Sequence, residues 1–441
     1  MAAPIRAVVV AFGSAGDVHP MLAVAGALRG RGHHAVVLCD RAAQGEAEAV
    51  CPGAVVLDGP GTGGQMIDPR RGHMRRAGGW AGVLRDRVIP GIPALYGALH
   101  RAIDAHGSGV LIGAHMALPV GWVARQRGVR WALCATAPAS WCSCEDPPMY
   151  PFMPDRDRYK RWLVRLGVRL GVWATNAAVD PAVNRQRRRL GLARGRGFMF
   201  EPMRQASWNL GLWSPRLRGP AADDPPRSAV CGVAWAAGAA RGHAQDAEAA
   251  RAFLAAGSAP IVVTLGSLLG PHAAGVLDAA ERAARELGHR ALLLGAAADG
   301  RPVASPDGRA LRVGYVPHAG TLEHAAAVVH HAGLGTLTQA LRAARPGVCV
   351  PMIADQFDNA RRSRLAGVSV TVAARGIGRG ALTAALRRVL GEPAFAQRAA
   401  ALAQSVRQED GAARAVEIIE RGVAEGGSGA LGGGAGPAAL V

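Results

Sequence analysis

Aromatic side chains make up only 5% of the 441 residues, so the stacking platforms that hold single-stranded nucleic acid are scarce. No nucleic-acid-binding motif stands in the chain either, and no specific nucleic-acid partner is expected. Acidic residues are also few: 32 Asp and Glu face 51 Lys and Arg, a formal charge of +19. That balance suits anionic partners such as phosphates or a membrane surface, and equally suits a biased composition spread over a solvated exterior. The seven cysteines are odd in number and scattered, unlike a secreted disulfide framework, which points to a reducing, cytoplasmic setting. Cys142-Ser-Cys144 has no His or second Cys pair nearby at zinc spacing, so no metal is expected. Nowhere do about 18 apolar residues run on without a charge or a helix breaker, so any membrane contact must be peripheral. Met1 to Phe12 runs straight from a short apolar stretch into glycines with no cleavage pattern and reads as a first strand, not a signal peptide.

What is present is a core-forming chain: 50% of the residues are hydrophobic, and the length calls for two domains. Two segments share one grammar, a β-branched run followed by glycines and then a helical pattern. The first is Ala7–Ser14 leading into a helix from about Pro20 to Arg31; the second is Ile261–Ser267 leading into a helix near Val276 to Leu287. Further strands are expected at 35–39, 54–57, 109–113 and 130–135, then at 291–295, 311–313, 327–330 and 347–351, with helices at 336–344 and 357–366. Such alternation predicts two α/β domains with parallel sheets. The Pro- and Asp-rich Gly219–Arg227 reads as a surface linker, which places the domains at 1–218 and 229–425 with the linker at 219–228. Residues 426–441, mostly Gly and Ala, offer too little burial to offset ordering entropy and read as a disordered tail.

The richest segment is Val328–Gln339, in which an apolar strand ends in His330-His331, passes Gly333 and Gly335, and turns into a helix at Thr336. Unpaired N–H groups at a helix N-terminus favour an anion, the glycines admit it to the backbone, and His331 adds a hydrogen bond or a positive charge. By itself such a turn is equally a tight strand-to-helix connection capped by Thr336. Asp355-Gln356 follows His331 by 24 residues, again just past an apolar strand, which puts a carboxylate and an amide at the sheet edge where ligands bind.

From Tyr315 to Asn359 the chain resembles the family 1 glycosyltransferases, the UDP-glycosyltransferase superfamily: Tyr-Val-Pro-His, His-His-Ala-Gly-Leu-Gly-Thr and Val-Pro-Met-Ile-Ala-Asp-Gln occur in that family's order and spacing. The resemblance implies the GT-B fold, two Rossmann-like parallel-sheet domains facing across a cleft, and inverting transfer of a hexose from a nucleoside diphosphate to a hydroxyl. It also implies roles: Tyr315 and His318 flank the base, Val316 offers it backbone hydrogen bonds, and His331, Gly333, Gly335 and Thr336 hold the diphosphate. Gln339 takes the position that contacts the ribose, and Asp355 and Gln356 bind the donor sugar. Ser267 lies near the phosphates or caps its helix. Tyr315 stands where plant members have Trp, and Leu334-Gly335 where they have Trp-Asn. Both departures look bacterial and leave uridine and thymidine diphosphate donors open. No metal or cofactor is called for beyond the nucleotide sugar, because helix N-termini and His331 supply the positive field.

The first turn, Gly13-Ser-Ala-Gly-Asp17-Val-His19-Pro20, lacks the full dinucleotide fingerprint, with only Asp40 as an acid after the second strand. It resembles the Gly-Asp-Val-x-Pro turn of antibiotic, sterol and rhamnolipid glycosyltransferases. Displacement at an anomeric carbon needs a base for the acceptor hydroxyl; Asp17 is the first choice and His19 the second, while a helix cap is the competing role for Asp17. His115, after the strand 109–113, belongs to the same edge, where it orients the base, touches the acceptor or, as is more common for a lone His beside a strand end, is simply a partly buried, hydrogen-bonded residue. Gly197–Glu201 and Gly211–Pro215 extend the resemblance towards bacterial members near the rhamnolipid rhamnosyltransferases. Between Arg156 and Arg189 stand ten Lys or Arg and two acids, with Trp162, Leu166, Leu170 and Trp173 beside Arg158, Arg161, Arg165 and Arg169. That helix either packs its apolar stripe on the first domain or lies on an anionic membrane, which would suit a lipophilic acceptor. The alternative readings are an accessory, polyanion-binding protein built on the same fold and a two-domain sugar-nucleotide epimerase.

Overall fold

The computed structural model describes residues 3–57, 82, 84–149, 160–235, 244–266, 271–297, 301–374 and 377–425. Ser267 and the tail 426–441 lie outside the described residues, so the expectations placed on them have no counterpart below.

Two seven-stranded sheets organise the chain. The first comprises β1 (Arg6–Ala11), β2 (His34–Asp40), β3 (Val55–Leu57), β4 (Val110–Ala114), β5 (Arg130–Ala135), β6 (Trp208–Gly211) and β7 (Ser228–Val230); the second comprises β8 (Ile261–Thr264), β9 (Ala291–Leu294), β10 (Val303–Ala304), β11 (Ala310–Val313), β12 (Ala327–His330), β13 (Gly347–Cys349) and β14 (Ser369–Thr371). The first sheet is parallel throughout, and in the second only the β10 edge runs antiparallel. The apolar runs that marked β1, β4, β8 and β12 are buried on both faces, as strands sandwiched between helices must be.

Strand order decides where a ligand can sit. In the first sheet it is β3-β2-β1-β4-β5-β6-β7, so the chain runs one way from β1 and then jumps back to β4. The second sheet repeats this with β11-β9-β8-β12-β13-β14. In each, the two central strands part their connections to opposite sides, which opens a crevice at their carboxyl ends. The turns after β1 and β4 carry Asp17 and His115; those after β8 and β12 carry Gly266 and His331.

The expected domain limits need correction. Ser228–Val230 pairs with β6 as the seventh strand of the first sheet, so the segment read as a linker is followed by first-domain structure. Asp224 within it forms an ion pair with the buried Arg218. The last helix, Gly411–Glu425, buries Ala412, Ala415, Val416 and Ile419 in the core beneath β1 and β2, not against the second sheet. Glu420 on it takes a paired hydrogen bond from Arg31 and another from His33. Chain crossings near Val233 and Gly411 lie side by side, joined by Gly411 N–H donating to the Val233 carbonyl and by Glu409 accepting from Ser214 and Val233. The first helix also starts earlier than expected, at Ala15, with Pro20 inside it; Ser14 and Asp17 complete a capping box that starts the helix ahead of the proline.

Candidate active site

Asp17 is the third residue of the helix Ala15–Gly30. Its Oδ2 accepts from Ser14 N–H at 3.1 Å and from Ser14 Oγ at 2.8 Å, and its Oδ1 accepts from Thr136 Oγ1 at 3.1 Å. The capping role weighed against a catalytic one is therefore real, and it also orients the carboxylate. Thr136 follows β5 directly, so three strand ends of the first sheet converge on this group. His115, after β4, has a buried Nδ1 with no hydrogen-bond partner. Burial pulls its pKa down while the Asp17 charge pulls the other way, which places the imidazole close to that carboxylate. His19, two residues on from Asp17, points instead to Glu46, with Nε2 3.2 Å from the carboxylate.

The second turn is built differently. Gly333 caps the helix Leu334–Arg342, and Gly335 in its first turn is exposed with open space where a side chain would stand. His331 is buried between two glycines. A Cβ on Gly333 would lie 2.3 Å from its Nε2, and one on Gly266 would lie 2.7 Å from its Cε1. Gly266 also holds φ at +61°, so both positions exclude a side chain. Nδ1 of His331 is buried with no hydrogen-bond partner, and burial pushes the ring's pKa down to about 4 despite the opposing Thr264 backbone. At that value the ring is a neutral hydrogen-bonding group near neutral pH. Its neighbour His330 faces inward, accepting from Ala332 N–H at 3.1 Å and approaching Cys349 Sγ at 3.7 Å.

Around this turn stand the other predicted residues. His318 lies 3.2 Å from Thr264 Oγ1 at the end of β8, and burial together with the His19 charge lowers its pKa to about 4. Tyr315 is 43% exposed and Val316 is buried beside it. Thr336 is buried and Gln339 half-buried on the helix that Gly333 starts. Gln356 is 5% exposed, and its Oε1 accepts from Met352 and Ile353 N–H at 2.9 and 3.1 Å, so its carbonyl builds the turn that presents Asp355. Asp355 in turn faces the first domain: burial and then the Asp17 charge raise its pKa to about 6. The paired influences of Asp17 on Asp355 and of His19 on His318 place the two sheet edges opposite each other.

Sequence reading missed three groups that assemble this site. Asn359, one helical turn after Asp355, donates to the Asp355 Oδ2 at 2.8 Å and to the Ala332 carbonyl at 3.1 Å, tying the two second-domain loops together. Thr136 and Ser14 hold Asp17. Asp358 accepts from Met149 N–H of the first domain at 3.0 Å, and Arg362 joins Asp358 and Asp146 at 2.6 Å each, so an ion cluster with Arg362 and Asp358 buried and Asp146 partly exposed locks the domains beside the cleft. The i, i+4 spacing of 355 with 359 and of 358 with 362 was available as a signal; the partners at 136 and 146 were not.

Comparison with known proteins decides the family. The chain is 30% identical to the O-mycaminosyltylonolide 6-deoxyallosyltransferase of Streptomyces fradiae over 434 residues, 94% of this chain and 97% of that one. It belongs to the antibiotic-type family 1 glycosyltransferases. The family profile described as Erythromycin biosynthesis protein CIII-like, C-terminal domain, matches residues 293–421 of the glycosyltransferase. In fold it is similar to the solved glycotransferase of kitacinnamycin, with a TM-score of 0.67 at 19% identity over 96% of this chain and all of the other. It is likewise similar to a spinosyn rhamnosyltransferase complexed with thymidine diphosphate, with a TM-score of 0.62 at 20% identity over 94% of this chain and all of that one. The fold is GT-B, and the enzyme transfers a sugar.

Proposed function

We propose that the glycosyltransferase inverts the anomeric centre of a uridine or thymidine diphosphate hexose while transferring it to a hydroxyl of a lipophilic natural-product acceptor. The observation that carries this reading is the pairing across the cleft: a carboxylate on one switch point, and on the other a glycine-lined helix N-terminus beside a buried imidazole whose Nδ1 has no hydrogen-bond partner. Asp17 Oδ1 takes one hydrogen bond among the described residues, from Thr136, and keeps a lone pair for the acceptor O–H. As that proton passes to Asp17, the acceptor oxygen bonds to the anomeric carbon from the face opposite the diphosphate, and the bond from carbon to phosphate oxygen breaks. Charge gathering on the departing diphosphate meets the free N–H groups of residues 334–336 and the His331 ring, which supply the positive field without a metal. Approach of the anion would also restore a proton to His331, since an opposite charge counters the burial that neutralises it. Asp355 and Gln356 bind donor hydroxyls, Tyr315 and His318 flank the base with Val316 bonding to its edge, and Gln339 reaches the ribose.

The relative from Streptomyces fradiae is named for transfer of a 6-deoxyallosyl group, and the spinosyn enzyme was solved with thymidine diphosphate, so a thymidine-linked deoxyhexose is the favoured donor. The test is a melting-shift panel of nucleoside diphosphates and their sugars, followed by product analysis with lipophilic alcohols. Stabilisation by one nucleotide family, transfer from its sugar and inverted configuration in the product are the expected results. If no nucleotide raises the melting temperature and no donor is consumed, the reading fails.

A further inference from the structure

The helix Arg161–Arg189 carries an unusual surface. Nine large apolar residues are exposed among the described residues, and five of them, Trp162, Leu163, Leu166, Leu170 and Trp173, fall on one stretch of this helix. At 100° per residue these five lie within an arc of about 100°, a single outward stripe roughly 16 Å long with a tryptophan near each end. The tryptophans are 61% and 69% exposed. The opposite side is the one that packs, through Val168 and Val179. So the alternative of an apolar stripe buried on the first domain does not describe this face.

Charge names the occupant. Arg161 and Arg165, further round the helix, bind Glu145 and fix the start of the helix to the body, and Arg169 is exposed along one edge of the stripe. The chain as a whole carries +19. An apolar stripe ending in Trp, bordered by Arg169 and mounted on a strongly basic protein, is complementary to lipid headgroups: indole rings settle at the headgroup level, leucines reach the acyl boundary, and Arg169 with the protein's net positive charge meets anionic lipid. We propose that this face docks on the surface of an anionic phospholipid bilayer, with the helix lying in the plane of the headgroups. Glu145 adjoins Asp146, the first-domain partner of Arg362, so docking there would bring the bilayer to the flank of the cleft from which a lipophilic acceptor could enter.

Co-flotation tests this with vesicles of equal parts phosphatidylcholine and phosphatidylglycerol, and with phosphatidylcholine alone. The wild-type protein is expected to float with the mixed vesicles, to do so roughly tenfold less with phosphatidylcholine, and to be released by salt. Trp162→Ala/Trp173→Ala should reduce flotation about tenfold or more, and Leu166→Glu/Leu170→Glu, which sets acids against anionic lipid, should abolish it. All four side chains are exposed, so the nucleotide-induced melting shift should be unchanged in both variants, and that readout fails separately if the transferase reading is wrong. Absence of wild-type flotation, or equal flotation of wild type and both variants, overturns the proposal. So does concentration-dependent self-association that the variants remove without any lipid binding, which would assign the face to a second copy of the chain.

Discussion

The turn after β1 and the turn after β12 start from the same grammar, a buried strand, glycines and a helix, yet they are chemically opposite. In the first, the helix N-terminus is occupied by the protein's own anion: Asp17 accepts from Ser14 twice and caps the helix it belongs to. In the second, the helix N-terminus has no carboxylate in its first turn, and Gly335 opens onto free space. A helix that caps itself with Asp holds a fixed base; one that caps itself with Gly leaves its partial positive charge for a ligand. Two copies of one architecture thereby supply the two halves of a displacement reaction.

The comparison breaks most sharply at Asp17. Asp17→Asn keeps one oxygen to accept from Ser14, turns the other into an NH2 that can donate to Thr136 Oγ1, and removes the base, so kcat should fall about a thousandfold while the nucleotide-induced melting shift stays as in the wild type. A fall of less than about tenfold would move the base to His19 or elsewhere. The reverse pattern is expected at Gly333→Ala. The new methyl group would meet Nε2 of His331 at 2.3 Å, so the ring or the turn has to shift, and nucleotide affinity should drop roughly a hundredfold, read by titration. Acceptor binding should be spared. Should Gly333→Ala leave nucleotide binding intact, the anion is held elsewhere.

A finer contrast concerns what orients Asp17. Thr136→Val removes the donor to Oδ1 and Ser14→Ala one of the two to Oδ2, and each should lower kcat roughly tenfold with KM for the donor little changed. The Ser14 change should also cost about 1 kcal/mol of stability by weakening the cap, which the Thr136 change should not. Equal losses of stability in the two variants would mean that Thr136 is a packing residue.

These contrasts show what the sequence could and could not convey. Glycine and histidine at the end of an apolar strand were legible because each strand-to-helix turn is a local event, and the strand candidates at 130–135 and 327–330 stand where they were expected. The domain limits were not legible. The composition of 219–227 reads as linker, yet Asp224 there pairs with buried Arg218, and β7 follows only because the edge of β6 is free to accept it. Likewise, nothing local in 411–425 says that its alanines pack beneath β1 instead of the sheet it follows in sequence. Thr136 as a partner of Asp17 and Asp146 as a partner of Arg362 are separated from them by 119 and 216 residues, and only the closed fold joins them.

The smallest expected effect tests whether the two turns feel one another. Asp355 has its pKa raised from 3.8 to about 6, first by burial and then by Asp17, so the folded protein binds this proton more tightly than the unfolded chain does. The stabilisation from that proton is complete below about pH 4 and is lost as the pH rises through about 6. Asp355→Asn cannot ionise and should remove this part of the decline, gaining roughly 1–3 kcal/mol on wild type near neutral pH relative to acid, measured by urea unfolding at a series of pH values. Asp17→Asn should recover a smaller share, because it removes the facing charge and leaves the burial. In the double variant the two gains should fall short of their sum, since the charge that each removes is the other's partner. Were the gains simply additive, or the pH profile of Asp17→Asn identical to that of wild type, the two carboxylates would not be facing each other across the cleft.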